Sequence, residues 1–566
     1  MWGRRWHGAN TADRVTKHPS LILRSRLRIP MKLATYPRTV SLMGFVRSCM
    51  ALFAATVLLQ GCAATDATIG EKRYSVAQTQ AMLVDAFNHV QHRYIDPVGM
   101  DELAMAGLNR LAAVDNRLSI QRKGGQLILL ADSRIVEEYT QPDRPDSLGW
   151  AEVSAEIVDK SRSNSTQAAS LVPEDLYSTL MGGIVATLDR YSRYESAKVA
   201  KSQRAGRTGF GGIGATIRTR DGTSTIVETL PEMPAAAAGL KPGDVIIQID
   251  DEPIAGQNPI DVIGRLRGPI GEIVIVDVRR NGEADTKRFS IRRAHVVPRS
   301  VRGMLKNGVA QIILRGFNRR SSADLEDEIA KLQAQAGGKL RGIVLDLRNN
   351  PGGLFDQALS IADLFLDRGL IIRTRGRHPA ANKSFQADGH QIAKDVPLAV
   401  IINGRSASSS EILAAALQSH SRAIVVGSGS HGKGSVQSIR QLPNSGELIV
   451  TWSRIFSPSG YLLDGLGVIP NICTSASPDV ARAGRSPSAR AFTDAKQFSD
   501  WNRYDRADEE LAQSLRRYCP PEPAAPKTDM SVAMQLLADP KAYRTALVQT
   551  RQSATRGIQA QSLQPS

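Results

Sequence analysis

The stretch PLAVIINGRSASSSEILAAALQSHSRAIVVG (397–427) decides the fold. Its first part, PLAVIIN (397–403), is an apolar run of strand length. EILAAALQ (411–418) has the composition of a helix, and AIVVG (423–427) reads as a second buried strand. Ser408 therefore falls at a strand-to-helix turn, where free backbone N–H groups point outward and can hold a developing oxyanion. Lys433 follows in HGKGSVQ (431–437). A hydroxyl at a helix start needs a base to become a nucleophile, and a lysine serves when its ammonium is desolvated.

Three other readings attach to the same residues. Ser408-x-x-Glu411 is a capping box, which by itself accounts for a helix start. GSGSHGK (427–433) matches the opening of a P-loop, but Gly434 stands where Ser or Thr belongs. SVQSIRQLPNSGELIVTW (435–452) then reads as strands, not as a phosphate-cradling helix. Ser430-x-x-Lys433 has the spacing of the S-x-x-K of penicillin-recognising enzymes. That motif needs a helix, which Gly429, Gly432 and Gly434 oppose, and neither S-D-N nor K-T-G occurs in the chain.

Set beside LDLRNNPGGL (345–354) and FSPSGYLLDGLGVIPNI (456–472), NGRSASSSEILAAALQ and HGKGSVQ resemble the carboxy-terminal processing peptidases, or tail-specific proteases. The likeness extends upstream through LDRYSRY (188–194) and covers roughly residues 75–475. It implies a multidomain α/β protein: a crotonase-like serine peptidase core, an inserted PDZ domain and a mainly helical N-terminal region. It also implies that Ser408 is the nucleophile, Lys433 its general base and Gln437 the residue that orients the lysine. If HGKGSVQ is a strand, positions 433, 435 and 437 share one face. The implied oxyanion donors are the N–H of Ser409 and one from the Gly352–Gly353 turn, where missing side chains let backbone approach substrate. No cofactor and no metal are implied.

The chain departs from the family pattern in three places. Ser409 replaces the usual alanine, which is tolerable for a backbone donor. Ser419 stands where many members carry an aspartate, and Asn471 replaces the aspartate of the usual proline–aspartate pair. His420 and His431 lie nearby and read as polar loop residues.

GFGGIG (209–214), within RAGRTGFGGIGATI (204–217), matches the dinucleotide fingerprint G-x-G-x-x-G. The segment after it reads as a strand and hairpin, where a dinucleotide site requires a helix. With PAAAAGLKPGDVIIQIDDEPI (234–254) and GRLRGPIGEIVIVDVRRNG (264–282), this loop instead resembles a PDZ domain. Such domains take a peptide C-terminus as an added strand and capture its carboxylate with backbone N–H groups. Gly212, Ile213 and Gly214 would form that loop. Arg267 matches an arginine that in relatives couples peptide binding to the protease domain.

The 566 residues are 42% apolar, enough for several globular domains. The net charge of +17 is uneven: residues 1–61 hold ten Lys/Arg against one Asp. The remaining basic residues are dispersed and no nucleic-acid motif accompanies them, so a nucleic-acid partner is excluded. The basic start leads into MALFAATVLLQ (50–60), too short for a typical membrane span. LLQGC (58–62) then resembles a bacterial lipoprotein signal, with Cys62 as the acylated mature N-terminus and Ala63 favouring the outer membrane. Residues 1–30 look dispensable, and MKLATYPRTV is a plausible true start. Cys49 in the signal and Cys62 under lipid leave Cys473 and Cys519, either as one disulfide in an oxidising compartment or as two unpaired thiols.

The expected organisation is a signal over 1–61, the helical region 62–203, the PDZ domain 204–298, the peptidase core 299–475 and a partly disordered extension 476–566. Weak helical patterns lie near 505–518 and 530–548 in that extension. The expected function is that of a lipid-anchored periplasmic serine endopeptidase selecting protein or peptide substrates by their free C-termini. An activating adaptor and self-association fit this expectation. The alternative is a catalytically silent envelope scaffold that keeps only the peptide-binding module.

Overall fold

The computed structural model describes residues 74–475, 493–505, 507–522 and 526–548. All of them belong to one compact unit. The segment expected to direct export, with Cys49 and Cys62, lies outside the described residues.

The N-terminal region carries α1 (Val76–Arg93) and α2 (Met100–Ala112), then a small meander of β1 (Leu118–Lys123), β2 (Gln126–Ala131) and β3 (Arg134–Thr140). It continues with α3 (Ser147–Asn164), α4 (Pro173–Val185) and a short strand, β4 (Arg193–Glu195). Its core gathers Met82, Phe87, Leu103, Leu108, Trp150 and Tyr177, and also takes in Leu442, Leu448 and Val450 from the peptidase core.

The helix α5 (Ala197–Thr208) leads into the PDZ domain. Residues 204–208, expected to open that domain, complete this helix instead. Arg204 and Arg207 on its last turns pair with the buried Glu447 at 2.8 and 2.7 Å. The PDZ strands are β5 (Phe210–Gly212), β6 (Ala215–Arg220), β7 (Thr223–Thr229) and β8 (Val245–Ile249). After α6 (Pro259–Leu266) come β9 (Ile273–Arg279), β10 (Thr286–Arg292) and β11 (Ala294–Val296). The main sheet runs β10-β9-β8-β7-β6, and β11 pairs with β5. Strand β6 is thus an edge, and Gly212, Ile213 and Gly214 precede it directly. Val262 and Leu266 anchor α6 in the domain core.

The peptidase core is built on a six-stranded sheet in the order β12-β13-β14-β17-β18-β21. Its members are β12 (Val301–Lys306), β13 (Val309–Leu314), β14 (Gly342–Asp346), β17 (Leu398–Ile402), β18 (Ile424–Gly427) and β21 (Ile472–Cys473). From β13 onward every pairing is parallel. Strands β14, β17 and β18 are buried at every position, as continuous apolar runs in a two-sided parallel sheet require. Their side chains alternate between two cores. Leu345, Val400 and Val425 face α7 (Ser321–Gln335), α8 (Phe355–Asp363) and α9 (Ser409–Ser419). Val344, Ala399, Ile401, Ile424 and Val426 face the other way.

That second face is covered by the C-terminal extension. α10 (Ala495–Asn502), the turn after it and α11 (Glu509–Arg516) bring Trp501, Tyr504, Ala512 and Leu515 into the first core. α12 (Pro526–Ala538) lays Val532, Ala533, Leu536 and Leu537 on the outer face of the sheet. The extension, expected to be partly disordered, therefore supplies a packed layer over these residues. Cys473, at the end of β21, is disulfide-bonded to Cys519 across a separation of 46 residues. On the loop-entropy account such a closure stabilises the fold by about 4 kcal/mol. A second, antiparallel sheet runs β16-β15-β20-β19, from β15 (Gly369–Arg375), β16 (Lys383–Ala387), β19 (Ser435–Gln441) and β20 (Glu447–Phe456), with β4 paired to β20.

Candidate active site

The chain leaves β17, turns at Ser408 and enters α9. Ser408 adopts φ 55° and ψ −114°, a conformation that L side chains avoid and that costs of order 1–3 kcal/mol. The surroundings over-determine it. The N–H of Ala407 donates to the carbonyl of Asn350 at 3.0 Å, and Ser406 Oγ donates to that of Leu347 at 2.8 Å. The N–H of Ser408 itself donates to Glu411 Oε2 at 2.7 Å. Glu411 thereby reaches back to the N-cap backbone while its own N–H donates to the Ser408 carbonyl at 2.8 Å, so the helix start and the strained turn belong to one device.

Glu411 does more than cap. Its Oε2 also accepts the N–H of Lys433 at 2.9 Å, and its Oε1 accepts Ser430 Oγ at 2.5 Å and the N–H of Gly432 at 2.6 Å. One buried carboxylate thereby ties the start of α9 to the loop that carries Lys433. Burial pushes its pKa above the ordinary carboxylate value, while the Ser430 hydroxyl and the N–H groups of Gly432 and Ser408 pull it back. On the outer side of the same loop, Arg516 of α11 donates to the carbonyls of Leu466 at 2.7 Å and Ser430 at 2.9 Å.

Lys433 Nζ donates to Gln437 Oε1 at 3.2 Å and lies 5.6 Å from the centre of the Tyr191 ring. Its pKa is held below the ordinary lysine value, first by burial and next by the charge of Arg193. Glu411, Asp189 and Glu195 oppose the shift. The route by which lysine and glutamine meet differs from simple strand alternation. β19 begins at Ser435, after Lys433, and its register breaks between Val436 and Gln437. The glutamine is fixed from elsewhere, Gln437 Nε2 donating to the Tyr191 carbonyl at 2.6 Å and Arg193 Nη1 donating to Gln437 Oε1 at 3.1 Å.

The Pro351–Gly353 turn lies against the Ser408 turn. A Cβ on Gly352 would sit 2.9 Å from Ser408 Cβ and 3.0 Å from the Ser409 nitrogen. At Gly353, with φ 148°, a Cβ would sit 2.2 Å from the Phe317 carbonyl oxygen, so only glycine fits. The N–H of Gly352 is engaged by Asn350 Oδ1 at 2.9 Å. Of the two glycines, Gly352 therefore has its N–H already engaged within the turn. The hydroxyl of Ser409 has its own use, donating to the Gly353 carbonyl at 3.2 Å.

Asn471 is structural. Its Oδ1 accepts the N–H of Val425 at 2.8 Å and Gln418 Nε2 at 3.1 Å. His420 Nε2 lies 2.8 Å from the Leu370 carbonyl, and the His431 N–H donates to the Ser406 carbonyl at 3.0 Å. In the PDZ domain, Arg267 stacks on the Phe210 ring at 3.8 Å, and the Gly268 N–H donates to the Gly211 carbonyl at 3.1 Å. Arg267 thus sits beside the glycine loop rather than beside Ser408. Among the described residues, no cluster of three or more His, Cys, Asp or Glu side chains could hold a metal ion.

Sequence reading missed Asn350, Tyr191, Arg193 and Arg516, and saw Glu411 only as a cap. LDRYSRY held two of these in plain view. Asn350, wholly buried inside a turn, was signalled only by its place before Pro351.

Residues 308–474 match Peptidase family S41, and residues 225–280 match the PDZ domain family. The chain is 37% identical over 305 residues to the "Carboxy-terminal-processing protease" of Bartonella bacilliformis, covering 53% of this chain and 70% of that protein. It is 30% identical over 306 residues to the "Probable CtpA-like serine protease" of Staphylococcus epidermidis, covering 53% of this chain and 61% of that protein. Among solved structures, a photosystem II D1 C-terminal processing protease aligns with 69% of this chain and 92% of its own, at 22% identity and a TM-score of 0.35. The peptide-bound PDZ domain of a Vibrio cholerae carboxy-terminal protease aligns with 15% of this chain and 96% of its own, at 28% identity and a TM-score of 0.15. An S41 match that spans the Ser408 and Lys433 segments, together with a relative matched over most of its length, establishes that this chain belongs to the carboxy-terminal-processing protease family and is a serine-type peptidase.

Proposed function

We propose that the protein is a serine endopeptidase that captures substrate C-termini in its PDZ domain and cleaves peptide bonds with a Ser408–Lys433 dyad. One observation carries this reading: a single oxygen of the buried Glu411 accepts the N–H groups of both Ser408 and Lys433, at 2.7 and 2.9 Å. Two residues distant in sequence are thereby held beside each other, one of them a desolvated lysine.

In this mechanism Ser408 Oγ attacks the scissile carbonyl carbon and its proton passes to the neutral amine of Lys433. The carbonyl π electrons move onto oxygen, where the N–H groups of Ser409 and Gly353 receive the negative charge. The tetrahedral species collapses, the C–N bond breaks, and the Lys433 ammonium returns the proton to the leaving amine. Water, deprotonated by Lys433, then attacks the acyl carbon, the ester bond to Ser408 Oγ breaks, and the Lys433 ammonium returns the proton to that oxygen. An ordinary lysine titrates near ~10.4, and a working base needs roughly 7–8. The lowered pKa of Lys433 has the required sign.

The substrate's last residues would add as a strand along the β6 edge, their carboxylate taken by the N–H groups of the Gly212–Gly214 loop. The parallel run β13-β14-β17-β18 with three helices on one face supports a crotonase-like core. The likeness of LLQGC to a lipoprotein signal supports the proposed setting, in which acylation at Cys62 would hold the enzyme on the periplasmic side of the envelope.

The test is cleavage of an unstructured protein with an apolar C-terminus by wild type, Ser408→Ala and Lys433→Arg. Both variants should fold, judged by circular dichroism, and turn over at least about a thousandfold more slowly, because a guanidinium keeps its proton. Substantial turnover by either variant would sink the dyad. Peptide binding without any turnover by wild type would favour the silent-scaffold alternative.

A further inference from the structure

The motif LDRYSRY (188–194) has no part in the steps above, yet it surrounds the general base. It enters β4, which pairs antiparallel with β20, placing Arg193 opposite Ile449 and Tyr194 opposite Leu448. The turn before β4 is fixed by Asp189, which accepts the N–H of Tyr191 at 2.9 Å, Ser192 Oγ at 2.5 Å and Thr451 Oγ1 at 2.9 Å.

From that turn Tyr191 reaches the base in three ways. Its carbonyl accepts Gln437 Nε2, its hydroxyl donates to the Gly432 carbonyl at 2.9 Å, and its ring faces Lys433 Nζ. Arg193 Nη1 donates to Gln437 Oε1, the same oxygen that accepts Lys433 Nζ. Two cationic groups therefore share one amide oxygen. The guanidinium is also paired with Glu195, Nε to Oε1 at 2.9 Å.

Resting on the dyad reading, we propose that Tyr191 and Arg193 are positioning residues for Lys433. Tyr191 turns the Gln437 oxygen toward the amine, and Arg193 sets a permanent positive charge against it that favours the neutral base. A glutamine whose nitrogen is anchored on a carbonyl cannot flip its oxygen away. A guanidinium stays charged across the working pH range, so its repulsion of an ammonium is constant. The groups facing Lys433 are Arg193, Glu195, Asp189 and Tyr191 from the N-terminal region and Glu411 from α9. Among the charged groups Arg193 acts downward on its pKa, and the three carboxylates act upward. The base of the peptidase is thus tuned by a segment that lies outside the S41 match at 308–474.

The test is the pH dependence of kcat/KM for the full chain on an unstructured protein substrate, whose acid limb reports the free-enzyme pKa of the base. Removing a positive charge makes the ammonium easier to keep, so Arg193→Gln should move the acid limb up by about one pH unit. Activity should fall about tenfold at the foot of the limb and recover at high pH. Glu195→Gln removes an attraction and should move the limb down. A purely structural role predicts a pH-independent loss with the limb unmoved, and that result overturns the proposal. Should Arg193→Gln fail to fold, the near-isosteric Glu195→Gln decides alone, and an unmoved or raised limb refutes the idea. Ser408→Ala and Lys433→Arg run alongside. If either is active, the dyad reading is at fault. If both are inactive and the limb is unmoved, only the positioning role fails.

Discussion

Replacing Glu411 with glutamine changes almost no volume, yet it should be one of the most damaging substitutions in the core. The carboxylate accepts four hydrogen bonds, two on each oxygen, and its residue is 1% exposed. Three of the four donors are backbone N–H groups, which cannot reverse their role. An amide nitrogen in the Oε2 position would confront the N–H groups of Ser408 and Lys433 together. In the Oε1 position it would confront the N–H of Gly432 and a Ser430 hydroxyl that already accepts the Val468 N–H at 2.7 Å. One orientation leaves two backbone donors unpaired and the other at least one. With bonds to a charged group worth about 1.5–3 kcal/mol and an unmet buried donor costing about 1–3 kcal/mol, the expected loss is about 3–5 kcal/mol.

Activity should fall as well, because the Ser408 N–H bond to Glu411 is part of what holds the backbone at φ 55°. We expect kcat to drop by about a hundredfold, a barrier increase of about 2.7 kcal/mol, with KM little changed. Guanidinium denaturation and steady-state cleavage of an unstructured substrate measure the two effects. An unchanged midpoint with full activity would refute the reasoning. It would mean that the buried group carries a proton, in the direction burial pushes it, and that its donors are satisfied in some other way.

Two further outcomes bear on substrate capture and location. On the proposed capture of a carboxylate by the Gly212–Gly214 loop, a peptide with a free apolar C-terminus should bind the protein much more tightly than the same peptide ending in an amide; equal affinities by calorimetry would exclude carboxylate capture. A fatty-acid probe fed to cells should label wild type and leave Cys62→Ser unlabelled, and equal labelling of both would exclude the anchor.

The parts of the site that were legible in the sequence are those built from contiguous residues. LAVII and IVVG read as buried strands because a two-sided parallel sheet demands unbroken apolar runs, and the turn at Ser408 follows from a strand running into a helix. Pro351-Gly352-Gly353 announced a close backbone approach. The link between Lys433 and Gln437 was read by the wrong rule, since strand alternation does not reach back to position 433. What joins them is the Tyr191 carbonyl, 246 positions before Gln437, and no local pattern encodes a contact of that range. Glu411 looked like an ordinary cap because the loop residues that fill its second oxygen lie beyond the helix.

The C-terminal layer was hidden for a different reason, although the sheet itself called for it. Strands buried on both faces need two covering layers. The stretch 299–475 supplies three helices, α7, α8 and α9, and the apolar side chains of all three enter the same core. Val344, Ala399, Ile401, Ile424 and Val426 alternate with the residues of that core, so they had to be covered from elsewhere in the chain. The weak helical pattern near 530–548 was the unassigned apolar material that followed the core. Read alone, its segment looks marginal; read against those five side chains, it is the missing layer. The Cys473–Cys519 bond fits the same logic, because it fastens the last strand of the sheet to the segment that leads into its cover. Arg516, three residues before that cysteine, then reaches the Ser430 carbonyl in the loop that carries Lys433. The described part of the extension is therefore wired both to the outer face of the sheet and to the loop between β18 and β19.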